Sequence, residues 1–121
     1  MAKCEEGYLC EVCGGDVEHL RDSALYLQFV LGWIDPETLH THRECHLRCA
    51  PAIAQFIDHP EFNPPVIVQG EFGRGQLDPQ FSTARTELVT RGYARLREVD
   101  ALRDRPPVID YILPEAAGRW R

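Results

Sequence analysis

Apolar and polar positions divide the chain into segments of different period. From Ser23 to Ile34 the residues are apolar almost all round. Tyr26, Phe29, Val30, Trp33 and Ile34 favour a strand, whereas Asp22 and Ser23 can cap a helix that Gly32 ends, and the helix is the favoured reading. The tetrapeptide DPET at Asp35 opens another helix, with a capping aspartate, a proline in the first turn and an acid near the positive end of the dipole. Between Arg43 and Asp58, residues Leu47, Ala50, Ile53, Ala54 and Ile57 recur at three and four, with Arg48, Gln55 and Asp58 opposite. That period predicts one helix, kinked at Pro51.

The proline-rich HPEFNPP, from His59 to Pro65, breaks any helix and marks a joint between two halves. Beyond it PPVIVQGEF reads as a strand and GRGQ as the turn after it. Asp78 and Pro79 start a helix with Phe81, Ala84, Leu88 and the Arg85 stem facing inward, and Gly92 is the expected stop. Tyr93 to Val99 alternates as a strand, and after the RDRPP break Val108 to Leu113 can pair with it. The expected fold class is therefore α+β: one small domain over 1–121, with a metal-binding half at 1–60 and a strand-helix-hairpin half carrying a short antiparallel sheet at 61–121. Trp33, Phe56, Phe62, Phe72 and Phe81 are expected in the core.

Composition narrows the setting. A chain of 121 residues can bury a core with little to spare, so a structural metal would matter. The apolar run Ala24 to Ile34 is too short to span a bilayer. The N-terminus has no apolar h-region, and five cysteines crowded into Cys4–Cys49 fit a reducing compartment better than a disulfide framework. Cytoplasmic localisation is expected. The net charge of −6 lies wholly in residues 1–60, which hold four basic and ten acidic side chains, while 61–121 hold nine of each. Such a balance disfavours nucleic acid as a partner of the cysteine-bearing half, because phosphate affinity rests on lysine and arginine.

Within LCEVCGG, Cys10 and Cys13 can aim two thiolates at one ion, and Gly14 and Gly15 permit the tight turn such a knuckle needs. A redox dithiol would instead open a helix after a buried strand. The remaining ligands are sought in THRECHLRC, Thr41 to Cys49. If that stretch is helical, His42, Cys45, His46 and Cys49 all lie on one face, and three pairings stay open. His42 with Cys45, at the positive end of the helix, is favoured over Cys45 with Cys49. His46 with Cys49 is the third pairing, His46 being read mainly as a neighbour of the site or a surface residue. Cys4 falls outside the spacing and reads as a free surface thiol.

These motifs, CEVCGG followed by HRECHL, resemble those of treble-clef zinc fingers over Cys10 to about Asp58. The resemblance implies structural zinc on Cys10, Cys13, His42 and Cys45, with Cys49 as the alternative to His42. The spacer of twenty-eight residues from Gly14 to Thr41 is long for that fold. Histidine mixed with thiolates suits zinc, whereas an all-cysteine shell would also admit iron.

Three functions compete: a non-catalytic zinc module that binds a protein partner, a winged-helix nucleic-acid binder, and an HNH-like nuclease. The second rests on helix Pro79–Arg91, the predicted hairpin, and Arg74, Arg85, Arg91, Arg95 and Arg97 as phosphate contacts. The third would use His40 as the base, but Asn63, the sole asparagine, falls beyond the helix. A closed four-ligand site leaves no position for a reacting water, so the non-catalytic module is favoured.

Overall fold

The computed structural model describes residues 9–117, so Cys4 lies outside the described residues. Four α-helices follow in order: α1 (Ala24–Val30), α2 (Pro51–Ala54), α3 (Pro79–Ala101) and α4 (Pro114–Ala117). Single 3-10 turns at Leu20–Asp22, Pro36–Thr41, Leu47–Cys49, Arg74–Gln76 and Val108–Tyr111 join them. Among the described residues there is no β-strand, only isolated bridges between Leu9 and Asp16 and between Ser23 and His46. The expected α+β class with an antiparallel sheet is thereby overturned: the fold is helical.

α1 is apolar but for Gln28 because it is buried on all its other sides; Ala24, Leu25, Tyr26, Leu27, Phe29 and Val30 are all in the core. The Ser23 hydroxyl caps it by accepting the Tyr26 amide at 3.0 Å, and the same hydroxyl donates to Glu44 Oε1 at 2.7 Å. Asp35 caps the next turn as its sequence suggests, accepting from the Glu37 amide at 2.9 Å, but the turn is 3-10.

The helix expected over Arg43–Asp58 is broken. Residues 43–45 have no regular structure, His46 is extended, Leu47–Cys49 form a 3-10 turn, and Ala50 takes φ −124°, ψ 66° before α2 begins at Pro51. Pro51 accounts for the break at Ala50, because its ring disfavours helical geometry in the residue before it. A periodic apolar pattern thus runs across two short elements.

The predicted hairpin of the second half is also absent. Tyr93–Val99 is the continuation of α3, whose buried residues Val89, Gly92, Tyr93, Leu96 and Val99 recur at three and four. Gly92 does not end this helix. A Cβ there would stand 2.6 Å from Leu31 Cδ2 and 3.2 Å from Leu27 Cδ1, so its missing side chain lets α3 cross close over α1. Phe81 and Ala84, placed inward by the sequence pattern, are exposed. Val108–Tyr111 is a 3-10 turn, after which Tyr111, Ile112 and Leu113 enter the core and the Leu113 amide donates to the Val30 carbonyl at 2.9 Å.

The segment PPVIVQGEF runs without regular structure, and Phe72, expected in the core, is exposed. It is held from α2's end: Gln55 Nε2 donates to the Phe72 carbonyl at 3.0 Å, and Gln55 Oε1 accepts from the Arg74 amide at 2.7 Å. Trp33 is half-buried under the Arg85 guanidinium, while Phe56 and Phe62 are buried as expected. Arg21, in the turn before α1, pairs at 2.7 Å with Asp100 of α3, which also accepts from Arg105 at 3.0 Å. Among the described residues no helix is long and apolar enough to cross a membrane.

Candidate metal centre

The chain from Leu9 to Asp16 closes a knuckle. The Gly14 amide donates to the Cys10 carbonyl at 2.9 Å, the Cys10 amide to the Gly15 carbonyl at 2.8 Å, and Gly14 adopts φ +78°. This turn aims amides at sulfur: Val12 N–H at Cys10 Sγ and Gly15 N–H at Cys13 Sγ, both at 3.4 Å. Facing the knuckle is the segment 43–46, which is bridged to Ser23 at His46. The Glu11 amide donates to the Glu44 carbonyl at 3.0 Å, and on the other side the Ala24 amide donates to the Cys45 carbonyl at 2.8 Å. The segment is thus clamped between the knuckle and the start of α1.

Cys45 and His46, though adjacent, take different places. Cys45 turns into the core, 8% exposed, with its Sγ 4.0 Å from Cys10 Sγ. His46 turns to the knuckle, its Nδ1 3.3 Å from Cys13 Sγ. The 3-10 turn that follows eclipses residues three apart, and so brings Cys49 to the same side, Sγ 4.0 Å from His46 Nδ1. One ligand atom from each of Cys10, Cys13, His46 and Cys49 lies within 4.8 Å of all the others, and the four could hold a metal ion.

His46 Nε2 lies 2.7 Å from the Asp16 carbonyl, an acceptor only. The proton therefore sits on Nε2, and Nδ1 presents its lone pair to the sulfurs, the arrangement by which a carbonyl behind the ring orients a metal-binding histidine. Burial alone would raise the Cys10 thiol, but amides of Cys13, His46 and Val12 and the His46 ring stabilise its thiolate, and it is lowered to about 5. Burial, with sulfur neighbours Cys10 and Cys13, pushes Cys49 up to about 11. Burial and the Cys10 charge push Cys45 up to about 12. The His46 ring is raised despite its burial, by the Asp16 carbonyl and the facing sulfurs.

Of the residues singled out in the sequence, Cys10, Cys13 and Cys49 meet in this cluster. His42 stands exposed outside it, its Nε2 3.4 Å from the Thr38 hydroxyl, and Cys45 lies beside Cys10 without belonging to the four. His46 takes the place beside Cys49. The pairing that the structure brings to the knuckle is the second H-x-x-C, the third of the three that the sequence left open.

A groove of about 460 Å³ borders the cluster, with His46, Cys49 and Arg48 on one side and Phe62 and Tyr93 at its apolar end. Arg48 stacks over the Phe62 ring at 4.2 Å. The chain matches no known protein-family model, and neither curated proteins nor solved structures show a significant match to it.

Proposed function

We propose that the chain is a single-domain, non-catalytic zinc-binding protein in which the metal joins the Leu9–Asp16 knuckle to the Cys45–Cys49 segment, and that its biological partner is another protein. The observation that carries this reading is the convergence of three cysteines and one histidine nitrogen within 4.8 Å. With bonds of about 2.3 Å to sulfur and about 2.0–2.1 Å to nitrogen, a tetrahedral zinc sets its ligand atoms about 3.5–3.8 Å apart. The separations of 3.3 Å and 4.0 Å around His46 Nδ1 bracket that range. Three thiolates and an imidazole suit zinc among the common divalent ions.

Four protein donors fill a tetrahedral shell, so the ion offers no open position for a reacting water and acts as a cross-link. Such a site contributes on the order of 10 kcal/mol or more to folding in small zinc domains, comparable to the whole stability of an average domain.

Elemental analysis of the full chain purified without added metal tests the reading. Stoichiometric zinc is expected, with loss of cooperative unfolding in a strong chelator. His42→Ala should keep the metal, whereas Cys49→Ser and His46→Ala should each lose it. Protein that is metal-free as purified and indifferent to chelator would sink the proposal.

A further inference from the structure

Five metal-ligating side chains crowd a space where four suffice, and the supernumerary one is a cysteine. Cys45 is buried, as is Cys10, and their sulfurs are 4.0 Å apart. A disulfide needs about 2.05 Å between sulfurs, so an approach of about 2 Å would join them. Cys45 also belongs to the same segment that the metal ties to the knuckle. A Cys10–Cys45 bond would therefore connect the same two pieces of chain that the ion connects.

We infer that Cys10 and Cys45 form an oxidisable pair that exchanges the metal cross-link for a disulfide when a hydroperoxide reaches the site. This inference rests on the zinc reading given above. As a metal ligand Cys10 is a thiolate, the nucleophilic form of sulfur, and Cys45 carries the one thiol of the group that the ion does not occupy. The Cys10 thiolate attacks one peroxide oxygen, the O–O bond breaks, and with one proton taken from solvent a water (or alcohol) leaves, giving a sulfenic acid on Cys10. The Cys45 sulfur then attacks the Cys10 sulfur, the S–O bond breaks, and the hydroxyl leaves as water with the Cys45 proton. Two electrons pass from the two sulfurs to the peroxide. The ion, left with Cys13, His46 and Cys49, loses its fourth ligand and dissociates.

The pairing competes with the more accessible Cys13 and Cys49, and it is favoured because either of those would have to leave the ion before attacking the oxidised Cys10, whereas Cys45 is not one of the four ligands. Retention of the cross-link distinguishes this arrangement from simple oxidative damage. Once oxidised, the chain keeps the knuckle attached without metal, and a thiol reductant restores the original ligand set.

Hydrogen peroxide added to the zinc-loaded full chain, with a chromogenic chelator to follow released zinc and peptide mapping under non-reducing conditions, tests the pair. The expected result is release of zinc together with a peptide linking Cys10 to Cys45, two hydrogens lighter than the reduced pair, both reversed by dithiothreitol and added zinc. Cys45→Ser should bind zinc at the same stoichiometry yet lose the linked peptide, with Cys10 passing to the irreversible sulfinic acid. A Cys10–Cys13 or Cys13–Cys49 peptide as the main product, or zinc release from Cys45→Ser that is just as reversible, would overturn the inference. Mapping the wild-type chain needs no variant to fold. Chain purified without metal would defeat the zinc reading, whereas a wrong linkage in zinc-loaded chain defeats only the pair.

Discussion

Gln55 offers a test of how the irregular loop between α2 and α3 is held. Its side chain is 5% exposed and spans two backbone groups of that loop, donating to the Phe72 carbonyl at 3.0 Å and accepting from the Arg74 amide at 2.7 Å. Gln55→Ala removes both bonds. At about 0.5–1.5 kcal/mol net for each, the loss is about 1–3 kcal/mol, and relief from ordering a long side chain brings it to about 1–2 kcal/mol. The irregular residues before Phe72 have no ladder to fall back on, so the cost should be local. Hydrogen exchange followed residue by residue should show the Arg74 amide losing protection by about 5–30-fold, the factor that corresponds to that energy. Amides of α1 and of the Gly92 region of α3 should keep theirs. An Arg74 amide that exchanges at the wild-type rate would refute the clamp, even if the variant were globally less stable.

Other consequences are equally direct. Gly32 sits at φ +80° with the position of a Cβ only 2.7 Å from Ala116 Cβ, so Gly32→Ala combines a left-handed backbone with overpacking against α4. It should lower stability by about 2–4 kcal/mol in urea unfolding. Cys49, with its thiol near 11, must lose a proton to ligate, so apparent zinc affinity should rise with pH, by about tenfold per unit for each proton displaced, in competition with a chromophoric chelator. The exposed Arg91–Glu115 pair holds the Glu115 carboxyl below its usual range, chiefly through the arginine's hydrogen bonds. Its contribution, at most about 1 kcal/mol, should be present above the unfolded-state pKa of Glu115 and vanish as pH falls through the lowered folded value, which Glu115→Gln measured against pH will show.

How far the residues announced this structure depended on whether a local rule met a competing one. Ser23 and Gly32 marked the ends of α1, because a cap and a left-handed glycine act within a turn. Gly92 misled for the opposite reason: its role is the close approach of Leu31, a contact between distant segments that no local pattern reveals. Tyr93–Val99 shows the same limit, since a sequence reading Y-A-R-L-R-E-V satisfies both an alternating pattern and a helical stripe. β-propensity in PPVIVQGEF found no partner strand, and propensity without pairing makes no sheet. At the metal centre the knuckle was legible from Cys10, Cys13 and Gly14 alone. The other side depended on whether THRECHLRC was helical, and its irregular residues 43–45 and the 3-10 turn at Leu47–Cys49 show that it is not one α-helix.

The hydrogen bond from the Leu113 amide to the Val30 carbonyl joins α1 to a segment near the opposite end of the described chain. During synthesis α1, apolar but for Gln28, leaves the ribosome before Tyr111, Ile112 and Leu113 and before the Gly92 face of α3 that together cover it. Until those segments emerge its apolar surface lacks them as cover, and a translation pause after α2 would lengthen that exposure. A metal captured early by the knuckle would tether the first half without supplying that cover.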